Sequence, residues 1–121
     1  MKPNMQGSRL YSDRGQFVCW LNPQKQMVKP VKQVIHMLRK PPAWAWDADV
    51  ITNGIDRGAL ELVVYASDTD ITYRTSIDNF MNHKGVIDRG HGKQWFLTLN
   101  RWSSSDREPE GKQLDMFKEE T

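Results

Sequence analysis

At 121 residues and 14.1 kDa the chain is long enough for one hydrophobic core and too short for two. Apolar residues make up 38% and charged residues 26%, with a mean hydropathy of −0.70, so a core can form while much of the chain must face water. The net charge of +2 conceals an asymmetry: residues 1–46 hold eight Lys/Arg against the single acid Asp13, and residues 47–121 hold nine against fourteen acids.

A basic first half points to an anionic partner, nucleic acid before membrane, because no amphipathic lipid-binding helix accompanies it. No run of eighteen apolar residues is present, and the first eight residues lack the apolar stretch of a secretory signal, so neither a membrane span nor export is expected. The lone Cys19, between Val18 and Trp20, gives no intrachain disulfide framework and no cysteine zinc cluster. The reducing cytoplasm is the expected compartment.

Residues 1–8, with Pro3 and Gly7, read as a loose lead-in to structure that begins near Arg9. Gln16–Leu21 is rich in β-branched and aromatic residues and is closed by Asn22-Pro23, which marks a strand ending in a turn. From Pro30 to Pro41, the apolar residues Val31, Val34, Ile35 and Leu38 keep helical spacing, favouring a short helix with a strand as the alternative. After Pro41-Pro42, Ala43-Trp44-Ala45-Trp46 alternates small and large residues like a short edge strand.

Asp47 or Asp49 is placed to cap a helix through Val50, Ile51 and Ile55, with Gly58 as its left-handed terminator. Leu60–Ala66 and Ile71–Ile77 flank Ser67-Asp68-Thr69-Asp70, the pattern of an antiparallel hairpin. Ser76 or Asp78 then opens a helical turn carrying Phe80 and Met81 and ending by Gly85, and Gln94–Trp102 reads as a further strand. The expected fold is α+β: a globular domain over residues 9–102 with a small antiparallel sheet and two or three short helices. Residues 103–121 follow as a flexible linker and tail, polar and broken by Pro109 and Gly111.

Chemistry finds little purchase in this pattern. His36, His83 and His91 match neither a helical histidine pair nor a Cys/His zinc spacing, and no metal or other cofactor is expected. The segment Gly85–Gln94 superficially resembles a phosphate-binding loop, but His91 follows Gly90 and Gln94 follows Lys93 where a magnesium-binding hydroxyl belongs. Asp68 and Asp70 fall in a hairpin turn, where aspartate serves the backbone, and no lysine follows Glu61 in the manner of a metal-dependent nuclease. No catalytic residue is assigned. The nucleic-acid contacts expected are Lys25, Lys29, Lys32, Arg39 and Lys40 to phosphates, with Trp44 and Trp46 as stacking platforms or, alternatively, as core.

The most specific pattern is Gln113-Leu114-Asp115-Met116-Phe117, beyond the linker. It resembles the short peptide by which bacterial DNA polymerases, mismatch-repair proteins and related factors bind the replication sliding clamp. That pattern reads Gln, Leu, Ser or Asp, Leu, Phe; four positions agree, and Met116 replaces the second leucine, a nearly volume-conserving change. The resemblance implies a clamp partner, with Leu114 and Phe117 as groove anchors, Met116 as adaptable filler and the Gln113 amide as a hydrogen-bonded address. It covers five residues and implies nothing about the body. The expectation is an accessory protein of bacterial or phage replication or repair that also touches DNA through its basic half. A small nuclease recruited by the same tail, or an interaction subunit unrelated to replication whose tail docks on another protein, are the alternatives, as is a tail that docks on its own sheet.

Overall fold

The computed structural model describes residues 2–32, 43–88, 90 and 92–106. Within them the chain runs β1 (Ser8–Tyr11), β2 (Phe17–Leu21), β3 (Gln26–Val31), β4 (Ala43–Asp47), α1 (Ala48–Asp56), β5 (Glu61–Ala66), β6 (Ile71–Ser76), α2 (Ile77–His83), β7 (Gly85–Asp88), β8 (Lys93–Thr98) and β9 (Ser104–Asp106), with a 3-10 turn at Leu99–Arg101. The α+β class expected from the sequence is what these elements build.

Two sheets form, with strand orders β1-β2-β3-β5-β6-β9 and β4-β8-β7. The first is mixed rather than wholly antiparallel, because β3 pairs in parallel with β5, from Gln26 opposite Glu61 to Val31 opposite Ala66. A parallel neighbour requires a crossover, and β4 and α1 lie in the chain between the two strands. Strand β5 has partners on both sides and Leu62–Ala66 are all buried, so it is an uninterrupted apolar run rather than an alternating one.

Strand β3 corrects the helix expected to start at Pro30. Pro30 and Val31 are extended and pair with Tyr65 and Ala66. The register with β2 covers Met27 and Val28 only, so Pro30 falls where β3 is paired on one side, a place that tolerates a residue without an N–H. Val34, Ile35 and Leu38 lie outside the described residues. The linker expected from residue 103 is corrected in its first part, since Ser104–Asp106 pair with Thr72–Arg74 at the sheet edge and Ser103 Oγ lies 3.2 Å from Thr75 Oγ1. Strand β8 is shorter than the Gln94–Trp102 run, because the chain turns at Leu99 and returns Trp102 to the core.

One core joins both sheets and both helices. Leu10, Cys19, Met27, Leu62 and Val64 come from the large sheet, Trp44, Trp46 and Leu97 from the small one, Val50 and Ile51 from α1, and Ile77 and Phe80 from α2. Ser76 Oγ caps α2 by accepting from Asn79 N at 3.0 Å, and Gly58, at φ +95°, follows α1 as the left-handed terminator.

Candidate functional site

Among the described residues, those expected to meet nucleic acid do not share one surface. Lys25 is exposed in the Asn22–Lys25 turn, at φ +66°, where the Asn22 carboxamide accepts from Gln24 N and Gln26 N at 3.0 Å each. Lys32 is exposed just past β3. Arg39 and Lys40 lie outside the described residues, as do all five residues of the tail peptide, Gln113, Leu114, Asp115, Met116 and Phe117.

Trp44, Trp46 and Lys29 are corrections, for one shared reason. Strand β4 turns both indoles to the core: Trp46 is fully buried, and Trp44 packs against Tyr73 at 5.0 Å and Trp102 at 5.6 Å between ring centroids. Neither ring is available to a base. Lys29 faces the same interior, where its ammonium donates to the Ala45 carbonyl at 2.6 Å and lies 5.3 Å from the Trp46 ring centroid. Burial pulls the Lys29 pKa down, and the Cys19 thiol and the Asp47 carboxylate nearby act the other way more weakly. Burial pushes the Cys19 thiol up to about 12, with Lys29 opposing, so the thiol stays protonated and unreactive, as its apolar position suggests.

A polar cleft of about 300 Å³ opens between the β1–β2 turn, the start of α1 and the start of β8. Asp13, Arg14, Asp47, Asp49, Lys93 and Gln94 line it. Asp47, expected as a helix cap, makes no side-chain cap bond; its carboxylate accepts instead from Gln94 Nε2 at 3.0 Å. Three carboxylates against two cations make the cleft selective for neither charge. Among the described residues no three His, Cys, Asp or Glu side chains are grouped as a metal ion requires.

The feature that sequence reasoning missed is an aromatic row on β1 and β2. Tyr11 and Phe17 meet edge-to-face with centroids 6.0 Å apart, and Phe17 and Trp20 do so at 4.6 Å. Tyr11 keeps 49% and Phe17 38% of its surface in water. The arrangement depends on a register shift: Leu10 pairs with Cys19, but Tyr11 pairs with Phe17, leaving Val18 over. Side chains alternate faces along a strand, so an unshifted Phe17 would share the face of Cys19; the bulge returns it to the face of Trp20 while Val18 packs against the core. The available signal was Ser12-Asp13-Arg14-Gly15, a turn tetrapeptide in which Gly15 takes φ +83° and its N–H donates to the Ser12 carbonyl at 2.9 Å. It marks the hairpin but not the bulge.

No family model, no curated protein and no solved structure matches this chain. No helix among the described residues is long and apolar enough to cross a membrane.

Proposed function

We propose that this chain is an accessory protein of bacterial or phage DNA replication or repair that binds the sliding clamp through Gln113–Phe117 and DNA weakly through its basic first half. The observation that carries the reading is the peptide itself: Gln113, Leu114, Asp115 and Phe117 agree with the clamp-binding pattern, and Met116 replaces leucine at little cost in volume. Two large apolar anchors in a short peptide segment are what a preformed apolar groove selects. The DNA half rests on the charge of residues 1–46, with Lys25 and Lys32 exposed, Trp44 and Trp46 removed from it by burial, and the half-buried Lys29 removed because its ammonium is turned inward to the Ala45 carbonyl.

The test is a titration of the full chain against purified bacterial sliding clamp. Leu114→Ala with Phe117→Ala should weaken binding by about 2 kcal/mol or more, since anchors carry most of a small interface. The melting temperature should hardly change. Unaltered clamp affinity in this variant would overturn the reading. A stability loss of about 2 kcal/mol or more would place both side chains in the protein's own core.

A further inference from the structure

We propose that the Tyr11–Phe17–Trp20 row, flanked by Arg9, is a stacking surface for single-stranded DNA. This deepens the DNA half of the reading above, and rests on that reading only in choosing DNA over RNA.

Four observations carry it. Tyr11, Phe17 and Trp20 form a contiguous row in which the two outer rings of the hairpin, Tyr11 and Phe17, are well exposed. A contiguous patch of this kind marks an interaction surface more strongly than scattered apolar side chains do. The register bulge brings Phe17 onto that face at the expense of regular pairing, and bulges are a recurrent device for re-aiming a side chain at a function. The charge beside the row is complementary to a phosphate backbone: Arg9 is exposed directly across from Trp20, on the same face of the sheet, whereas Arg14 lines the cleft with Asp13, Asp47 and Asp49. The row also lies on the face of β1 and β2 opposite Leu10 and Cys19; farther into the sheet that face is covered, since Val28 beside Trp20 is fully buried, and the water-facing part is the Tyr11–Phe17 end.

Flat rings interleaved with cations are what an unpaired strand uses, its bases stacking on the rings and its phosphates meeting the guanidinium groups. Duplex DNA hides its base faces and could use only the charges. Stacking does not depend on base identity, so binding should be tolerant of sequence. The argument against a second copy of this chain as the occupant is the same charge: two such surfaces brought together would bury two Arg9 guanidinium groups in one small patch with no carboxylate of the row to pair them, which costs rather than gains.

The experiment is fluorescence anisotropy of a labelled twenty-nucleotide oligo-dT titrated with the full chain, without clamp, so that its failure is separate from failure of the clamp interaction. The wild type should bind the single strand at least about tenfold more tightly than a duplex of equal length. Its affinity should fall with salt by a slope of roughly 0.7 per phosphate contacted. Tyr11→Ala and Phe17→Ala should each weaken binding about fivefold or more. Tyr11→Phe, which keeps the ring, should retain it, and Arg9→Gln should lower the salt slope by one contact while leaving both rings in place. These last two variants keep the test valid if an alanine variant fails to fold. Equal affinity for single strand and duplex, or alanine variants that bind as the wild type does, would overturn the proposal. So would a wild-type dimer in sedimentation that the two alanine substitutions dissociate, which would assign the surface to self-association. An oligo-U strand bound more tightly than oligo-dT would overturn the choice of DNA.

Discussion

Lys29 shows how far one position can depart from its residue type. A lysine at this point of the chain reads as surface charge, yet its ammonium is held among Ala45, Trp46 and Cys19. Because burial lowers its pKa, the unfolded chain binds more protons at Lys29 than the native protein does, from the lowered native value up to the ordinary 10.5. Stability contributed at this position is therefore least at low pH and rises as pH approaches 10.5. In urea titrations, the wild type should gain on Lys29→Met as pH is raised from 7 to 10, since methionine keeps the packing and has no proton to lose. A stability difference that does not change with pH would return Lys29 to an ordinary solvated pKa. The inward placement could not be read from the sequence, because it depends on β3 turning Lys29 to the same side as Met27, Leu62 and Val64.

At the scale of elements, the close approach of α1 to β3 is fixed at Gly54. A Cβ there would overlap the Met27 Sδ and crowd its Cε, and Met27 is fully buried. Replacing an interior helical glycine with alanine ordinarily gains up to about 1 kcal/mol. Overpacking typically costs about 1–3 kcal/mol, so Gly54→Ala should be destabilising by about 1–2 kcal/mol. Shortening the obstacle should relieve it: the double variant Gly54→Ala, Met27→Val should lose less than the sum of the two single losses in denaturant titrations. Strict additivity would mean that Met27 is not the obstacle. Helix α1 itself was legible from Val50, Ile51 and the Gly58 that ends it, although Ile55, read with the same apolar face, stays 36% exposed. The β5–β6 hairpin was legible too, since its turn is local chemistry, with Tyr65 Oη donating to Asp70 Oδ1 at 2.6 Å and Asp70 itself at φ +56°. Strand β7 was not, because Gly85-Val86-Ile87-Asp88 is too short to show a period and earns its pairing only beside β8, where Gly85 makes room for the Phe96 ring.

The whole molecule depends on its sheet edges. Strand β9 adds three residue pairs to β6 across Thr72, Tyr73 and Arg74, and it lies just beyond the Trp102 indole, whose Nε1 donates to the Leu97 carbonyl at 3.0 Å. Taking a chain without residues 107–121 as the reference, further removal of residues 104–106 should lower stability by about 1–2 kcal/mol in chemical denaturation, from lost ladder bonds and a newly open edge. No loss would mean that β9 contributes pairing without stability. What the sequence by itself determined is everything decided within a few residues of chain: the β2 and β4 strands, the β5–β6 hairpin, both helices with their stops, the inertness of Cys19, and the five-residue peptide at 113–117 with the resemblance it carries. Only the tertiary structure decided that β3 runs parallel to β5, that Trp44, Trp46 and Lys29 point inward, and that a bulge at Val18 turns Phe17 out beside Tyr11 and Trp20. Each of those outcomes follows from which strand lies next to which and in what register, and a shift of one residue exchanges the two faces of a strand without changing a letter of the sequence.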